Sequence, residues 1–368
     1  MSFLLDPAAH HLNPGAFGIV PVEVRAAQAR FRQASDANPL RFHRVDGPEL
    51  VAAGREAASR FLGSEVVLVR NATEAAATVL ASLPLAEGDE LLLSTHAYGS
   101  LAIAAQARAD RVGAKLATVS FPADATDAEV VAAFTAGITD RTRLLLIDAI
   151  TSPTALVLPV AEVAAAARER GVPVFVDAAH VPGHLRQRPD ALGVDFWVGN
   201  LHKWAYVPRS AAAFHIAPRW REVVLPLVPS WDHPRGYPRW FDNAGTADYT
   251  AWMAIPAAID HWNALGGWEA VDAVAARLDE GVRVVAEAAG QPGQVSPRHC
   301  PLMRLVRLPE GLVGDVADAE RYTDELSALG VEAVIVHWGG RAHVRVAAAA
   351  PTTAADFAAL ADALTRGR

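Results

Sequence analysis

Two residues carry most of the chemistry this sequence can do, and each stands at the end of an apolar run. Val174-Phe175-Val176 leads into Asp177, and the run from Asp195 to Val198 leads into Gly199-Asn200-Leu201-His202-Lys203. Such runs read as buried strands of a parallel sheet, and open α/β sheets bind their ligands beyond the carboxyl ends of these strands. An acid and a lysine therefore converge on one edge. A lysine desolvated there among cationic neighbours becomes both a nucleophile and a base of lowered pKa. His180 and His184 are close enough in sequence to meet a metal if they lay on a helix, but Pro182-Gly183 interrupt the segment. No metal site is expected.

The pattern Asp177-Ala178-Ala179-His180, followed by Asn200-Leu201-His202-Lys203-Trp204, resembles the class V aminotransferase family of fold-type I pyridoxal phosphate enzymes. Within that family it is similar to the isopenicillin N epimerase-like branch, and the similarity runs from about Leu12 to about Leu364. The resemblance implies pyridoxal 5'-phosphate as cofactor, joined to Lys203 as an imine until the substrate amine displaces the lysine and frees it as the base at Cα. It implies that Asp177 pairs with the protonated pyridine nitrogen, so that the ring accepts the electrons released at Cα. His180 then lies beside the phenolic oxygen, and Asn200 and His202 assist the phosphate.

Other motifs fit the same frame. Asn71-Ala72-Thr73-Glu74 follows a strand; Asn71 can cap a helix with Glu74 at its third position, and the same free N–H groups and helix dipole can bind a phosphate, with Thr73 adding a hydroxyl. By resemblance, His96 stacks on the pyridine ring while Tyr98 lies near the substrate, and a hydroxyl at Ser152 or Thr151 contacts the phenolic oxygen. Gly245-Thr246 resembles the segment that reaches the neighbouring subunit's phosphate, which implies a homodimer with composite sites. Asn13 and Gly15 match a substrate loop in which relatives commonly carry His and Ser where this chain has Pro14 and Ala16. Arg345 holds the place of the arginine that binds the substrate carboxylate in two-pronged fashion, with Arg341 as its rival.

These residues need a scaffold, and the sequence supplies one. Apolar runs at 66–70, 91–94, 116–120, 144–148, 174–177, 195–198 and 211–216 alternate with helical stretches, which predicts right-handed crossovers and a mostly parallel sheet. From about residue 256 the pattern changes to long helices, then strands at 302–308, 332–337 and 342–347 and a last helix. The expected organisation is an N-terminal substrate loop (1–20), a large cofactor-binding domain (21–255) and a smaller C-terminal α/β domain (256–368). At 368 residues the chain is long enough for this division.

Bulk properties exclude other classes. A net charge of -8 argues against a nucleic-acid-binding surface. Cys300 is the single cysteine, so no intrachain disulfide and no cysteine-based zinc cluster can form. No apolar run is long enough to span a membrane and the start of the chain lacks a basic leader, so a soluble cytoplasmic protein is expected. Neither G-x-S-x-G nor G-x-G-x-x-G occurs.

The constellation removes a group from Cα of an amino acid. A cysteine desulfurase is disfavoured, because Cys300 lies well upstream of the arginine segment. Epimerisation needs proton donors on both faces of the carbanion, whereas β-elimination needs Lys203 and a leaving group. The depleted loop around Asn13 leaves Tyr98 as a candidate second-face acid. The reading is therefore a carbon–sulfur lyase-type β-elimination on a cysteine S-conjugate in specialised metabolism. The alternatives are an amino-acid epimerase, decarboxylation with oxidative deamination, transamination, and a cofactor-free binding protein on the same fold.

Overall fold

The structure, a computed structural model, describes residues 2–292 and 300–366. Its strands are β1 (His10–His11), β2 (Val67–Val69), β3 (Glu90–Ser94), β4 (Lys115–Val119), β5 (Thr142–Asp148), β6 (Val174–Asp177), β7 (Phe196–Gly199), β8 (Ala212–Ile216), β9 (Met303–Arg307), β10 (Val331–Glu332), β11 (Val334–Trp338) and β12 (Arg341–Ala347). Seven of them form the main sheet, in the order β2-β8-β7-β6-β5-β3-β4. All pairs are parallel except those of β8, which runs against both β2 and β7. The expected mostly parallel sheet is present, and its strands fall within a residue or two of the apolar runs.

Period-two alternation explains why the central strands are apolar throughout. Leu145, Ile147, Val174, Val176 and Trp197 pack into the core on one face. Leu144, Leu146, Phe175, Phe196 and Val198 pack into the core on the other. Helices cover both faces, so a polar residue ending such a strand is delivered to the carboxyl edge with apolar walls behind it.

The C-terminal part carries an antiparallel sheet, β11-β12-β9, with β12 in the centre. Residues near the N-terminus are joined to this part: β1 pairs with β10, and Ala347 N donates to Leu12 O at 2.7 Å. The Asn13–Gly18 turn is thereby carried to the edge of the main sheet. Two glycines there are required by contact. A Cβ on Gly15 would lie 2.3 Å from the Trp204 ring, and one on Gly18, whose φ is +72°, would meet His202 O at 1.6 Å. The N-terminal turn is packed against the segment that bears the lysine.

Candidate active site

A cavity of about 220 Å³ opens where β2, β3, β5, β6 and β7 end, and its wall includes Thr73, Tyr98, Asp148, Asp177, His180 and Lys203. Lys203 lies in the single helical turn Leu201–Trp204 after β7. Burial lowers its pKa to about 8, with Arg345 acting in the same direction against the opposing charges of Asp177 and Asp148. His180 Nε2 lies 3.0 Å from Lys203 Nζ, and Trp204 Nε1 donates to His180 Nδ1 at 3.4 Å. Burial and then the Lys203 charge hold the His180 pKa well below the usual histidine value, so the ring is neutral. Asp177 Oδ1 accepts from Ala179 N at 2.9 Å.

At the other end of the cavity the helix Ala72–Ser82 begins. Asn71 Oδ1 accepts from Glu74 N at 2.9 Å, and Glu74 Oε2 accepts from Arg70 N at 2.6 Å, so the capping role read from the sequence is real. Asn200 Oδ1 accepts from Ala72 N at 3.0 Å; two residues assigned to one anion satisfy each other here. Thr73 lines the cavity with its N–H at the second helical position, beyond reach of the helix's own carbonyls. His202 also lines it. Its Nδ1 donates to Ala211 O at 2.9 Å, and burial lowers its pKa to about 4.

Of the two candidate arginines, the structure brings Arg345 to the site and leaves Arg341 out. Arg345 is buried in mid-strand on central β12 and donates from Nη1 to Ser152 O and Oγ and from Nη2 to Asn13 Oδ1 at 3.0 Å. Its Nε has no partner among the described residues. Arg341 is exposed at the hairpin end of β12. Ser152 forms the wall and Arg345 stands behind it, so the serine faces both the cavity and the guanidinium. Thr151 turns instead to Thr154 and Leu156.

His96 is a correction. Expected to stack on a cofactor ring, it is fully enclosed, with its ring stacked on Phe121 at 4.5 Å and packed against Trp338 at 4.2 Å. Both nitrogens are engaged at 2.9 Å, Nδ1 with Thr154 Oγ1 and Nε2 with Phe121 O. The turn after β3 points this side chain into the core, while Tyr98, two residues on and 43% exposed, reaches the cavity. Thr246 is exposed and takes no part in the cavity wall of its own chain.

The sequence reading passed over Asp148, which ends β5 beside Asp177 and lines the cavity. A signal was present: the run Leu144-Leu145-Leu146-Ile147 leads into Asp148 just as Val174-Phe175-Val176 leads into Asp177. His184 is a scaffold residue, joined to His180 O and accepting from Leu302 N at 2.8 Å. Among the described residues, no group of three or more His, Cys, Asp or Glu is arranged to hold a metal.

Residues 20–285, the stretch that carries this strand-end aspartate and lysine, match a family model for class-V aminotransferases. The chain belongs to the aminotransferase class-V family. Within it, the chain is 32% identical to an isopenicillin N epimerase of Streptomyces clavuligerus, over 98% of this chain and 95% of that protein. It is 31% identical to an L-cysteine desulfhydrase of Arabidopsis thaliana, over 97% and 88% of the two chains. The fold is that of the fold-type I enzymes: the cystine C-S lyase C-DES, solved in complex with its reaction product cysteine persulfide, superposes with a TM-score of 0.81 at 19% identity, covering 97% of each chain. For this class-V chain, no helix among the described residues is long and apolar enough to cross a membrane.

Proposed function

We propose that this protein is a pyridoxal phosphate-dependent carbon–sulfur lyase acting on a cysteine S-conjugate. The observation that carries the reading is Lys203, a buried amine with a pKa near 8, in contact with neutral His180 and sharing its cavity with Asp177. The donor set fits the cofactor. Thr73 at the helix N-terminus, with Asn200 and His202, would hold the phosphate. Asp177 would meet the ring nitrogen, and Ser152 and His180 would flank the phenolic oxygen. When bound, the cofactor supplies an electron-accepting ring conjugated to the substrate Cα.

The chain's own residues supply the rest. Arg345, with an unpaired Nε and contacts to Ser152 and Asn13 that a carboxylate can replace, binds the substrate carboxylate and fixes which Cα bond is cleaved. Lys203 takes the Cα proton and returns a proton to the departing sulfur. The balanced outcome is conjugate plus water giving thiol, pyruvate and ammonia. Elimination needs this single base, and the wall contributed by Ala16 and Phe17 carries no titratable group.

One observation favours epimerisation as a second reading: Tyr98 brings a hydroxyl-bearing side chain to the same cavity, where a second-face proton donor would be required. Incubation of the cofactor-loaded protein with S-alkyl cysteine conjugates in deuterated water separates the readings. Pyruvate, ammonia and free thiol are expected. Deuterium at Cα in both enantiomers without cleavage would replace the lyase by an epimerase, and carbon dioxide with a sulfur-retaining aldehyde would replace it by an oxidative decarboxylation. A protein that binds no cofactor would be a binding module on the same fold.

We also read the protein as a homodimer. Exposed Thr246 beside Gly245, and the large apolar side chains Phe17 and Trp231 left at 74% and 90% exposure, support a partner subunit that covers apolar surface and completes the phosphate site.

A further inference from the structure

Asp148 is a buried carboxyl of this site to which the proposed reaction gives no task. It ends β5, and the register sets it directly beside Asp177, the last residue of β6. Leu144, Leu146 and Phe175 pack in the core on one face of the sheet. By alternation, Asp148 and Asp177 leave the sheet on that same face. The two carboxyl groups therefore stand side by side, 2% and 4% exposed.

Their surroundings differ. Asp148 Oδ1 accepts a long hydrogen bond from Tyr98 N at 3.3 Å, and its Oδ2 receives none among the described residues. Asp177 Oδ1 accepts from Ala179 N at 2.9 Å. The charged groups facing Asp148 are Asp177 from β6 and Lys203 from the turn after β7. One amine does not neutralise two adjacent buried carboxylates, so the pair retains a proton. That proton belongs on the oxygen no donor reaches, because a buried anionic oxygen without a hydrogen bond is the costlier state.

We propose that Asp148 is a further positioning residue of this site: a neutral carboxylic acid that donates its Oδ2 proton to the Asp177 carboxylate, making the two strand ends a single-proton pair. Asp177 alone then carries the charge that meets the ring nitrogen, and its free oxygen is held in place by its neighbour. Burial, followed by the Asp177 charge, holds the Asp148 carboxyl well above the usual range, in the same direction. The inference rests on the cofactor reading given above.

Infrared difference spectra of the cofactor-loaded wild type and Asp148→Asn, each in H2O and D2O at neutral pH, test it. A carboxylic-acid C=O band that shifts in D2O is expected in the wild type and absent from the variant. The asparagine amide offers the same uncharged donor, so Asp148→Asn is expected to keep the pH midpoint of the bound cofactor's visible absorbance. Asp148→Ala removes the donor and is expected to loosen pyridoxal phosphate about tenfold. Visible absorbance without the band, or a midpoint that moves by about a full unit in Asp148→Asn, would mean that Asp148 is ionised and would overturn the inference. A wild type with no visible absorbance would overturn the cofactor reading, and this inference with it.

Discussion

The two edges of the main sheet make a useful contrast. At the amino edge lies a cavity of about 420 Å³, larger than the site at the carboxyl edge and crowded with charge. Its charges are matched: Arg219 pairs with Asp195, Arg221 with Glu65 at 2.7 Å, and Arg168 donates to Gly193 O at 3.0 Å. Asp195 also accepts from Val174 N and Trp220 Nε1, so it ties two strands together. The carboxyl edge holds less space and leaves groups unmatched: a lysine of lowered pKa and, among the described residues, an arginine Nε without a partner. Chemistry resides where buried charge waits for a ligand, and size alone does not locate it.

Substitutions can break this contrast. The largest effect is expected at Lys203→Ala, which removes nucleophile and base together and should cut turnover on the order of 10⁴-fold or more, measured as steady-state thiol release. Asp177→Asn follows, with a loss on the order of 10²–10³-fold and a changed spectrum of the bound cofactor. Arg345→Ala should raise KM for the amino-acid substrate about ten- to a hundredfold while cofactor affinity stays near that of the wild type, read by parallel kinetics and cofactor titration. At the amino edge, Arg219→Ala should leave turnover unchanged and alter stability by no more than about 1 kcal/mol, since the arginine is well exposed; denaturant melts would show it. An activity loss there as large as at Arg345 would erase the distinction between the edges.

A pH series sharpens the same point. The Lys203 pKa lies below its ordinary value, at about 8, so below that pH the amine is protonated and cannot attack. The rate at which cofactor-free protein captures pyridoxal phosphate should fall about tenfold per pH unit below 8 and level off above it. A midpoint near the ordinary lysine value would mean that the amine is not desolvated.

Much of the carboxyl edge was legible in the sequence, for a physical reason. A strand buried on both faces is apolar along its length, so the first polar residue after it marks the edge of the sheet. That rule marks Asp177 directly, and Asn71 and Lys203 follow within a few residues of their strand ends. It does not tell which way a side chain turns after the strand ends: the resemblance puts His96 on the cofactor ring and Tyr98 near the substrate, whereas the turn buries the histidine against Phe121 and Trp338. Nor does it reveal neighbours created by strand pairing: Asp148 and Asp177 are distant in sequence and adjacent only through the β5–β6 register. Arg341 and Arg345 share a face of β12, and only the distance from the hairpin end separates the exposed residue from the buried one.

The central claim is that Lys203 is the residue on which this fold carries pyridoxal phosphate. Reduction of the loaded protein with borohydride, followed by proteolysis and mass spectrometry, tests it most directly. The account predicts a single phosphopyridoxyl label on Lys203, lost in Lys203→Ala; a label on Lys115 instead, or none at all, would contradict it.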